Sequence, residues 1–262
     1  MPAKEYICKV LQIKRLTPTV VELRFEPSRK FRFDPGQFIS VIVPNSRDVS
    51  AKPLRRAYSL ATSPEQGFGL CVKIVTGGPG SNYLASLRPG DTFRASAPFG
   101  HFVYDHESGR DACFISTGTG VAPFLGMIHS EAYRDNPPPQ ATNIFGARTD
   151  DEIIYPGYFE KLGLVEVNAI SQPGPGFSGF KGRVTDYLRG LPPDWAWDRT
   201  DFYLCGNGEM VGEVRRLLLG RGVPESHIHK EVYFASNGSK PNEAKTAPAK
   251  VVTPPPFLKK VA

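Results

Sequence analysis

The sequence predicts a β + α/β protein with two domains, an antiparallel six-stranded barrel followed by a parallel-sheet domain. The chain has 262 residues, more than the roughly 100–150 of a typical domain, so two hydrophobic cores are expected. Its first hundred residues carry the period-two apolar alternation of strands. From about Asp111 onward, apolar strand-like runs alternate with helical stretches. We expect domains over 1–105 and 106–236, followed by a flexible basic Pro/Lys-rich tail over 237–262.

Six short runs in the first half are rich in β-branched and aromatic residues and are separated by proline and glycine turns. Short antiparallel strands in this number favour a barrel. The expected strands are EYICKVLQI (5–13), TVVELRFEP (19–27), GQFISVIVP (36–44), RAYSLAT (56–62), GLCVKIV (69–75) and DTFRASAP (91–98). One helix is expected between the fifth and sixth strands, over SNYLASLRPGD (81–91).

The second half alternates between strand and helix patterns, which is typical of a parallel sheet with helical crossovers. The expected strands are DACFIS (111–116), ATNIFGA (141–147), LVEVNAIS (164–171) and DFYLCG (201–206), with EVYF (231–234) as a final strand. The expected helices are APFLGMIHSEAYR (122–134), GYFEKLG (157–163), RVTDYLRG (183–190) and EMVGEVRRLLLGRG (209–222).

The net charge of +6 is concentrated near the C-terminus. Residues 235–262 contain five lysines and one glutamate, which contribute +4 of that total and leave the rest of the chain nearly neutral. This segment has almost no aromatic residues, so we interpret it as a flexible appendage, or alternatively as a docking arm for an acidic partner or a lid. Basic charge without interleaved aromatic residues argues against a nucleic-acid partner.

Several classes of protein are disfavoured by what the sequence lacks. It has no run of about 18 apolar residues, and its start, MPAKEYICKV, lacks the apolar core of a secretory signal. We therefore expect a cytoplasmic protein without membrane contact, and a monomer. The four cysteines lack the spacings that hold zinc or an iron–sulfur cluster, and HIH (227–229) is more typical of a strand end, so no metal site is predicted.

A glycine-rich turn follows the first strand of the second half and opens a helix. Glycine lets the backbone approach an anion, and a helix N-terminus offers free N–H groups and a positive dipole end. Proline suits the first helical turn, where no N–H is needed. We interpret this turn, STGTGVAPF (116–124), as a phosphate cradle for a dinucleotide, although it departs from the G-x-G-x-x-G fingerprint. The residues expected to form it are Thr117, Gly118, Thr119, Gly120 and Pro123.

Three further stretches are expected at the same crevice, because ligands of open α/β sheets bind outside the carboxyl ends of the strands. They are GAR (146–148), SQP (171–173) and CGNGEM (205–210). Cys205 taken alone is most often a buried, small apolar residue. Because Gly206 follows it at a strand end, Cys205 is also a candidate for a thiol lying against a bound ligand.

The first half contains a second candidate anion site. Strand alternation places Arg56 and Tyr58 on one face, with the small side chains of Ala57 and Ser59 on the other. Further on, a strand leads into a helix with Ser81 as the expected N-cap. Either this is a plain capping turn, or the guanidinium and the helix N-terminus share one diphosphate. The two stretches are RRAYSLAT (55–62) and GGPGSNYL (77–84).

Together these motifs resemble the ferredoxin–NADP reductase family of flavoproteins. Seven stretches occur in the family's order and at roughly its spacing, over residues 5–234. They are RAYS, LCVK, GSNYL, LRPGD, STGTGVAPF, YLCGNGEM and KEVYF. The resemblance implies an FAD-binding barrel, an NAD(P)-binding α/β domain, and hydride transfer between nicotinamide and flavin N5.

The resemblance also implies roles for individual residues. Arg56 would contact the FAD diphosphate, Tyr58 would lie against the isoalloxazine ring, and the Ser59 hydroxyl would lie near flavin N5. The other residues implied at the FAD site are Ala57, Val72, Lys73, Gly80 and Ser81.

On the nucleotide side, the resemblance places Cys205 beside the nicotinamide and assigns hydride or proton handling to Glu231. The family's terminal aromatic ring covers the flavin face that the nicotinamide must reach, and either Tyr233 or Phe234 matches it. The predicted catalytic residues are Ser59, Cys205 and Glu231, and the further residues expected at the nucleotide are Gly206 and Met210.

NADPH is the expected nucleotide, with NADH as the alternative. NADP needs cations around its 2′-phosphate, whereas NAD is marked by an Asp or Glu on the ribose hydroxyls. Gln172 stands where bacterial NADPH-using relatives often have an arginine, and no acidic residue replaces it. The cations that could contribute are Arg148, Lys181, Arg183 and Arg215.

The expected electron acceptor is ferredoxin or flavodoxin, which is acidic as a rule and would dock on cations near the flavin. Each candidate cation is more often an ordinary solvated surface charge; the candidates are Lys52, Arg55, Arg88 and the tail lysines. The main alternative is an NADH-dependent reductase component of an oxygenase or cytochrome system, here without the cysteine spacing of a fused ferredoxin domain. An oxygen-directed oxidase and a flavin-binding regulatory protein are further alternatives, the last disfavoured by the presence of Cys205 and Glu231.

Overall fold

The structure, a computed structural model, describes residues 4–44 and 53–233. Its first sheet has six strands with antiparallel neighbours, in the order β4-β3-β6-β1-β2-β5. A bridge between Leu60, just after β4, and Leu70 in β5 joins the two ends of the sheet, and this closes the predicted barrel. The strands are β1 (Lys4–Thr17), β2 (Val20–Pro27), β3 (Phe38–Val43), β4 (Leu54–Ser59), β5 (Phe68–Lys73) and β6 (Thr92–Phe99).

The barrel interior follows from the period-two alternation. In β1, Tyr6, Cys8 and Val10 are buried while their neighbours point outward. Their inner face packs around large rings such as Phe25 and Phe93, whose centroids are 5.2 Å apart. Each such side chain contributes about 1.5–3 kcal/mol when it is fully buried.

One helix, α1 (Pro79–Ser86), lies between β5 and β6 and packs on the barrel through buried Leu84. Its N-cap residue is Gly78, so the prediction of Ser81 as the N-cap was wrong. Ser81 lies in the first turn instead, where its hydroxyl accepts from the Val75 N–H at 3.1 Å and donates to the Gly78 carbonyl at 3.3 Å. It therefore ties the helix to the preceding loop without occupying the cap position.

The second sheet has six parallel strands in the order β10-β9-β8-β7-β11-β12. The chain passes outward from β7 in one direction and returns at β11 to extend the sheet in the other, so the switch point lies between β7 and β11. In such sheets the crevice at the carboxyl ends beside the switch point is the usual ligand site. The strands are β7 (Asp111–Thr117), β8 (Ala141–Ala147), β9 (Val165–Ile170), β10 (Phe180–Lys181), β11 (Thr200–Asn207) and β12 (Ile228–Tyr233).

The crossover helices are shorter than predicted. The expected helix over 122–134 is interrupted at Ser130, whose hydroxyl accepts from the Tyr133 N–H at 3.1 Å and caps a new helix. The expected helix over 157–163 has a single turn, whose N–H groups are held by the Glu166 carboxylate at 2.9–3.2 Å. The helices are α2 (Ala122–Ile128), α3 (Glu131–Asp135), α4 (Tyr158–Lys161), α5 (Val184–Gly190) and α6 (Gly208–Gly220).

An apolar core joins the two sheets. One face of the parallel sheet packs with α2 against Val20 and Cys71 of the barrel, and Phe102 from the segment between β6 and β7 completes this core. The predicted domain boundary at residue 105 lies in that same segment. The opposite face of the parallel sheet is covered by α5 and α6. No helix within residues 4–44 and 53–233 combines the length and apolarity needed to cross a membrane.

Candidate active site

A cleft of about 440 Å³ runs along β4 and the start of α1. A Cβ atom on Gly80 would lie 2.8 Å from Arg56 Cγ and 2.9 Å from the Tyr58 hydroxyl, so only glycine allows this close approach. The stem of the Arg56 side chain therefore lies beside the N-terminal turn of α1, and both line this cleft. A guanidinium and a helix N-terminus in one cleft can together bind a diphosphate. The predicted FAD residues that line this cleft are Arg56, Ala57, Tyr58, Ser59, Lys73, Gly80 and Ser81.

Tyr58, one of the aromatic residues that line this cleft, is neutral. Burial raises the pKa of Tyr58 to about 12, and the nearby Arg56 cation opposes that rise only in part. A neutral, half-buried phenol ring suits stacking against a flat heterocycle. The residues present therefore fit FAD, with its diphosphate at Arg56 and its ring system toward Tyr58 and Ser59.

The β5 residues divide between the cleft and the core. Cys71 and Lys73 line the cleft, whereas the side chain of Val72 is fully buried in the barrel core. Val72 can therefore offer a ligand only its main-chain atoms, and its contact with FAD stays a prediction.

The predicted catalytic residues meet where the two halves of the chain join. The Tyr233 hydroxyl donates to Ser59 Oγ at 2.8 Å, and Ser59 Oγ donates to Glu231 Oε1 at 2.8 Å. Cys205 lies opposite Glu231 in the β11–β12 pairing, but its side chain is fully buried and lines neither cleft. The structure thus brings together residues that are up to 174 positions apart in sequence.

Burial controls the protonation of this group. It raises the pKa of Glu231 above the ordinary 4.5, although the hydrogen bond from Ser59 opposes the rise. It also raises the pKa of the Cys205 thiol and of the Tyr233 phenol. Cys205 is therefore a neutral thiol at pH 7, and not a thiolate nucleophile.

A second cleft, of about 580 Å³, lies at the switch point of the parallel sheet. Thr117 at the end of β7 and Asn207 at the end of β11 form its floor, and the Asn207 N–H donates to Thr117 Oγ1 at 3.1 Å. Gly206 lies between them with φ +136°, and a Cβ there would collide with Thr117. The predicted nucleotide residues that line this cleft are Thr117, Gly118, Thr119, Arg148, Arg183, Gly206 and Met210.

Two of the predicted cradle residues have a packing role. Gly120 is buried, and a Cβ on it would collide with the carbonyl group of Cys205. Pro123 lies in the first turn of α2, as predicted, and is buried as well. The turn before α2, Gly118–Val121, is a 3₁₀ turn. The close approach at Gly120 brings the cradle against β11, and neither Gly120 nor Pro123 lines the cleft.

Only some of the cations that were predicted to bind the nucleotide line the second cleft. Arg148 and Arg183 line the far end of the cleft, where Arg148 Nε donates to Gln172 Oε1 at 2.9 Å. Arg215 pairs with Glu225 at 2.8 Å outside the cleft, and Lys181 does not line it. Two of the four expected cations therefore face the site.

Three side chains line both clefts, namely Lys73, Thr119 and Tyr233, so the clefts adjoin. Tyr233 is thus the aromatic residue at the junction, while Phe234 lies outside the described residues, as do Lys52 and the tail. Asn207 belongs to the CGNGEM stretch that was expected at this crevice, and it lines the cleft. Sequence reasoning missed Glu152 and Glu213 as cleft residues, and nothing near Glu152 in the sequence indicated its contacts.

A closed barrel with a diphosphate site, joined to a parallel sheet with a dinucleotide crevice, defines a flavin- and nicotinamide-dependent oxidoreductase. Two family models match the chain in the same order. The model of the oxidoreductase FAD-binding domain covers residues 7–104, and that of the oxidoreductase NAD-binding domain covers residues 114–216. These matches confirm FAD and a nicotinamide nucleotide as the cofactors.

A similar protein shows the family to which the chain belongs. It is 34% identical over 245 residues to ferredoxin–NADP reductase B of Sorangium cellulosum, covering 88% of this chain and 98% of that protein. The chain therefore belongs to the ferredoxin–NADP reductase family and is a flavoenzyme, as the resemblance implied.

Other relatives share the same two domains. One component of the Na(+)-translocating NADH-quinone reductase of Yersinia enterocolitica is 30% identical over 241 residues, and the match covers 83% of this chain and 58% of that component. The crystal structure of a ferredoxin NADP+ reductase from Neisseria gonorrhoeae with bound FAD and NADP has the same fold. Its TM-score is 0.75 at 23% identity, over 89% of this chain and all of that one.

Proposed function

We propose that the protein passes electrons between NADPH and a one-electron carrier, ferredoxin or flavodoxin, by hydride transfer at the junction of the two clefts. The observation that carries this proposal is the hydrogen-bonded group of Ser59, Glu231 and Tyr233, with Cys205 beside it, at the one place where both clefts meet. Bound FAD would supply a group that takes two electrons as a hydride and gives them up one at a time, which connects a two-electron nicotinamide with a one-electron carrier.

The residues of the chain hold and orient the reactants. Arg56 and the first turn of α1 bind the FAD diphosphate, and Tyr58 lies against its ring system. Ser59 Oγ carries a proton that it donates to Glu231 Oε1, and this half-buried carboxyl holds a proton to higher pH than an exposed glutamate would. Cys205 is small and neutral, but it is fully buried and lines neither cleft, so its place beside the nicotinamide, which must approach the flavin to about 3–3.5 Å, stays a prediction.

NADPH is favoured by the cations at the far end of the second cleft. Arg148 and Arg183 line it, and no acidic residue stands at the end of β9, where Ser171 and Gln172 line the cleft. The Sorangium relative is also named as an NADP enzyme. NADH is the second candidate, because an uncharged Gln172 bonds Arg148 at this point and the Yersinia relative is named for NADH.

The acceptor is proposed to dock beside the first cleft. Arg55 lines this cleft and donates to Ser96 Oγ at 3.0 Å, which holds a cation at the FAD site. Arg88 lies beyond the end of α1 and does not line the cleft. A cytoplasmic monomer fits this function, since ferredoxin and flavodoxin are small acidic carriers. A reductase component of an oxygenase system is the alternative and would use the same two clefts.

An anaerobic titration of the FAD-loaded protein tests the proposal. NADPH and NADH are added separately while the visible flavin absorbance is followed. Bleaching by NADPH at far lower concentration, followed by reoxidation with ferredoxin or flavodoxin, is the expected result. A flavin that neither nucleotide reduces would overturn the assignments of Ser59, Cys205 and Glu231, and bleaching by NADH alone would favour the alternative.

A further inference from the structure

Glu152 connects the two halves of the molecule. It lies in the parallel-sheet half, in a 3₁₀ turn that begins two residues after Arg148. Its carboxylate accepts from Thr19 Oγ1 at 2.9 and 2.7 Å, from Thr17 Oγ1 at 3.3 Å and from Lys73 Nζ at 3.3 Å. Within the described residues, all of these partners belong to the barrel.

The turn that carries Glu152 is firmly attached to its own half. The preceding Asp150 accepts from the Gly174 N–H at 2.7 Å, and Ile154 just beyond is buried in the core between the sheets. The carboxylate itself is 15% exposed, so its hydrogen bonds are partly shielded from water. A displacement of the barrel against the parallel sheet must therefore break them.

The hydrogen bonds that residues 4–44 and 53–99 of the barrel make to the parallel-sheet half cluster at two places, and the connecting segment adds one from Tyr104 to Asn136 and one from Asp105 to Tyr203. One is Ser59 with Glu231 and Tyr233, at the reaction site. The other is Glu152, at the edge of the nucleotide cleft that it helps to line. Two separate attachments fix a relative rotation that a single one would leave free. Hydride transfer is sensitive to such a rotation, because a misplacement of about 1 Å costs about a hundredfold in rate.

The charge of Glu152 is unfavourable for the ligand of this cleft. A nicotinamide dinucleotide carries a diphosphate, and a carboxylate on the cleft wall repels it. Glu152 also holds Lys73, whose ammonium group would otherwise be free to attract the phosphates. A residue that opposes nucleotide binding in both ways is explained by its contacts with the barrel.

We propose that Glu152 is a positioning residue for hydride transfer, which holds the barrel and the parallel sheet in the relative orientation that brings nicotinamide to flavin. This inference rests on the proposed function and goes beyond it by assigning a role to the Glu152–Thr17–Thr19 contacts. The inference predicts opposite changes in nucleotide affinity and in hydride-transfer rate. Loss of the Glu152 carboxylate should tighten nucleotide binding and slow the transfer.

The test compares three variants of the FAD-loaded protein. Glu152→Ala removes both charge and contacts, Glu152→Gln removes the charge but keeps an amide that can bond the threonines, and Thr19→Val removes the strongest contact from the barrel side with little change in shape. Single-turnover flavin reduction by NADPH gives the transfer rate, and calorimetric titration with NADP+ gives the affinity without any turnover. FAD content and thermal unfolding report the fold. Glu225→Gln is the matched control, because Glu225 pairs with Arg215 and Lys230 and contacts neither cleft.

Glu152→Ala is expected to slow flavin reduction at least about tenfold while NADP+ binds more tightly. Glu152→Gln should bind NADP+ more tightly with a rate near that of the unchanged protein. Thr19→Val should slow reduction with unchanged NADP+ affinity, and the control should change neither.

Normal rates in both Glu152→Ala and Thr19→Val, with full FAD content, would overturn this inference alone. Rate losses that only parallel FAD loss would assign Glu152 a purely structural role and would also overturn it. Should Glu152→Ala fail to fold, Thr19→Val decides by itself. Failure of the proposed function looks different, because the unchanged protein would then not be reduced by either nucleotide.

Discussion

Three side chains at the junction of the clefts form a hydrogen-bond chain with a fixed direction. Tyr233 donates to Ser59, and Ser59 donates its single proton to Glu231. Burial keeps the phenol protonated by raising its pKa, and the neighbouring Cys205 thiol is kept protonated in the same way. Among these residues, Glu231 is therefore the one that loses its proton at the lowest pH. Its hydrogen bond within the group comes from the Ser59 hydroxyl.

Ser59→Val tests the central link of this chain. Valine is one carbon larger than serine and cannot donate to Glu231 or accept from Tyr233, so FAD should remain bound while hydride transfer slows by at least about tenfold, or about 1.4 kcal/mol. Rapid mixing with NADPH measures the rate. Thr62→Val is the control, because Thr62 is buried and donates to the Gly67 carbonyl at 2.7 Å but lines neither cleft. Equal rates in the two variants would remove Ser59 from the mechanism.

Glu231→Gln tests the buried carboxyl through the pH dependence of stability. Folding raises the pKa of Glu231 above 4.5. Its contribution is therefore fully present below pH 4.5 and is lost as the pH rises through the raised value. The glutamine variant does not titrate, so its free energy of unfolding should improve relative to the unchanged protein as pH rises from about 4.5. Urea unfolding at several pH values measures this difference.

The control for that experiment has the opposite sign. The hydrogen bonds from Arg215 and Lys230 lower the pKa of Glu225 to about 2, so its contribution is present above pH 4.5 and is lost as pH falls toward 2. In Glu225→Gln the difference from the unchanged protein should stay constant above about pH 5.5. A Glu231→Gln difference that is equally flat would contradict a raised pKa.

At the scale of elements, α1 combines a helix N-terminus with a backbone that touches two side chains of β4. Alanine is a better helix former than glycine by about 0.8–1.0 kcal/mol, so Gly80→Ala should favour the helix in isolation. In the protein, however, the new Cβ would lie 2.8 Å from Arg56 Cγ and 2.9 Å from the Tyr58 hydroxyl, so both side chains must move. FAD affinity should therefore fall about tenfold or more while the fold is retained.

Fluorescence titration of the apoprotein with FAD measures this affinity. Gly220→Ala, at the end of α6, is the matched control because its Cβ would meet no atom within 4 Å. It should bind FAD like the unchanged protein. If Gly80→Ala does the same, the close approach of α1 to β4 has no part in FAD binding.

Elements with a strong local pattern could be predicted from the sequence, and those decided by distant contacts could not. The predicted strand over 141–147 matches β8 residue for residue, because all of its signal lies in its own alternation and flanking turns. The break between α2 and α3 depends on the Ser130 cap, a local signal that the apolar periodicity concealed. The two-residue β10 exists only because β9 pairs with it, and it has no pattern of its own.

At the scale of the whole molecule, the motifs predicted which residues would face a ligand but not how the two halves fit together. Ser59 was expected near the flavin and Glu231 near the nicotinamide, yet their hydrogen bond joins residues 172 positions apart and follows from the packing of two sheets. Glu152 lay in an ordinary acidic turn, and its partners are 79–135 positions away. Contacts of this kind form only once the two sheets have packed against each other, and no local pattern in the sequence specifies that packing.

This core makes a prediction about unfolding. Phe102 is 6% exposed and packs against Phe124 and Tyr203, at ring-centroid distances of 6.0 and 6.3 Å. Both tryptophans, Trp195 and Trp197, lie in the parallel-sheet half, so tryptophan emission reports that half while FAD release reports the barrel. With the core intact, both signals should change in a single thermal transition.

Phe102→Ala should lower the free energy of unfolding by about 3–5 kcal/mol. It should also weaken the connection between the halves, so that FAD is released at a lower temperature than the tryptophan signal changes. Leu188→Ala is the control. Leu188 is fully buried on the opposite face of the parallel sheet. Leu188→Ala should therefore lower the transition temperature while FAD release and tryptophan emission still change together. If FAD release and tryptophan emission remain coincident in Phe102→Ala as well, the two halves are coupled by their polar contacts at Ser59 and Glu152 and not by the apolar core.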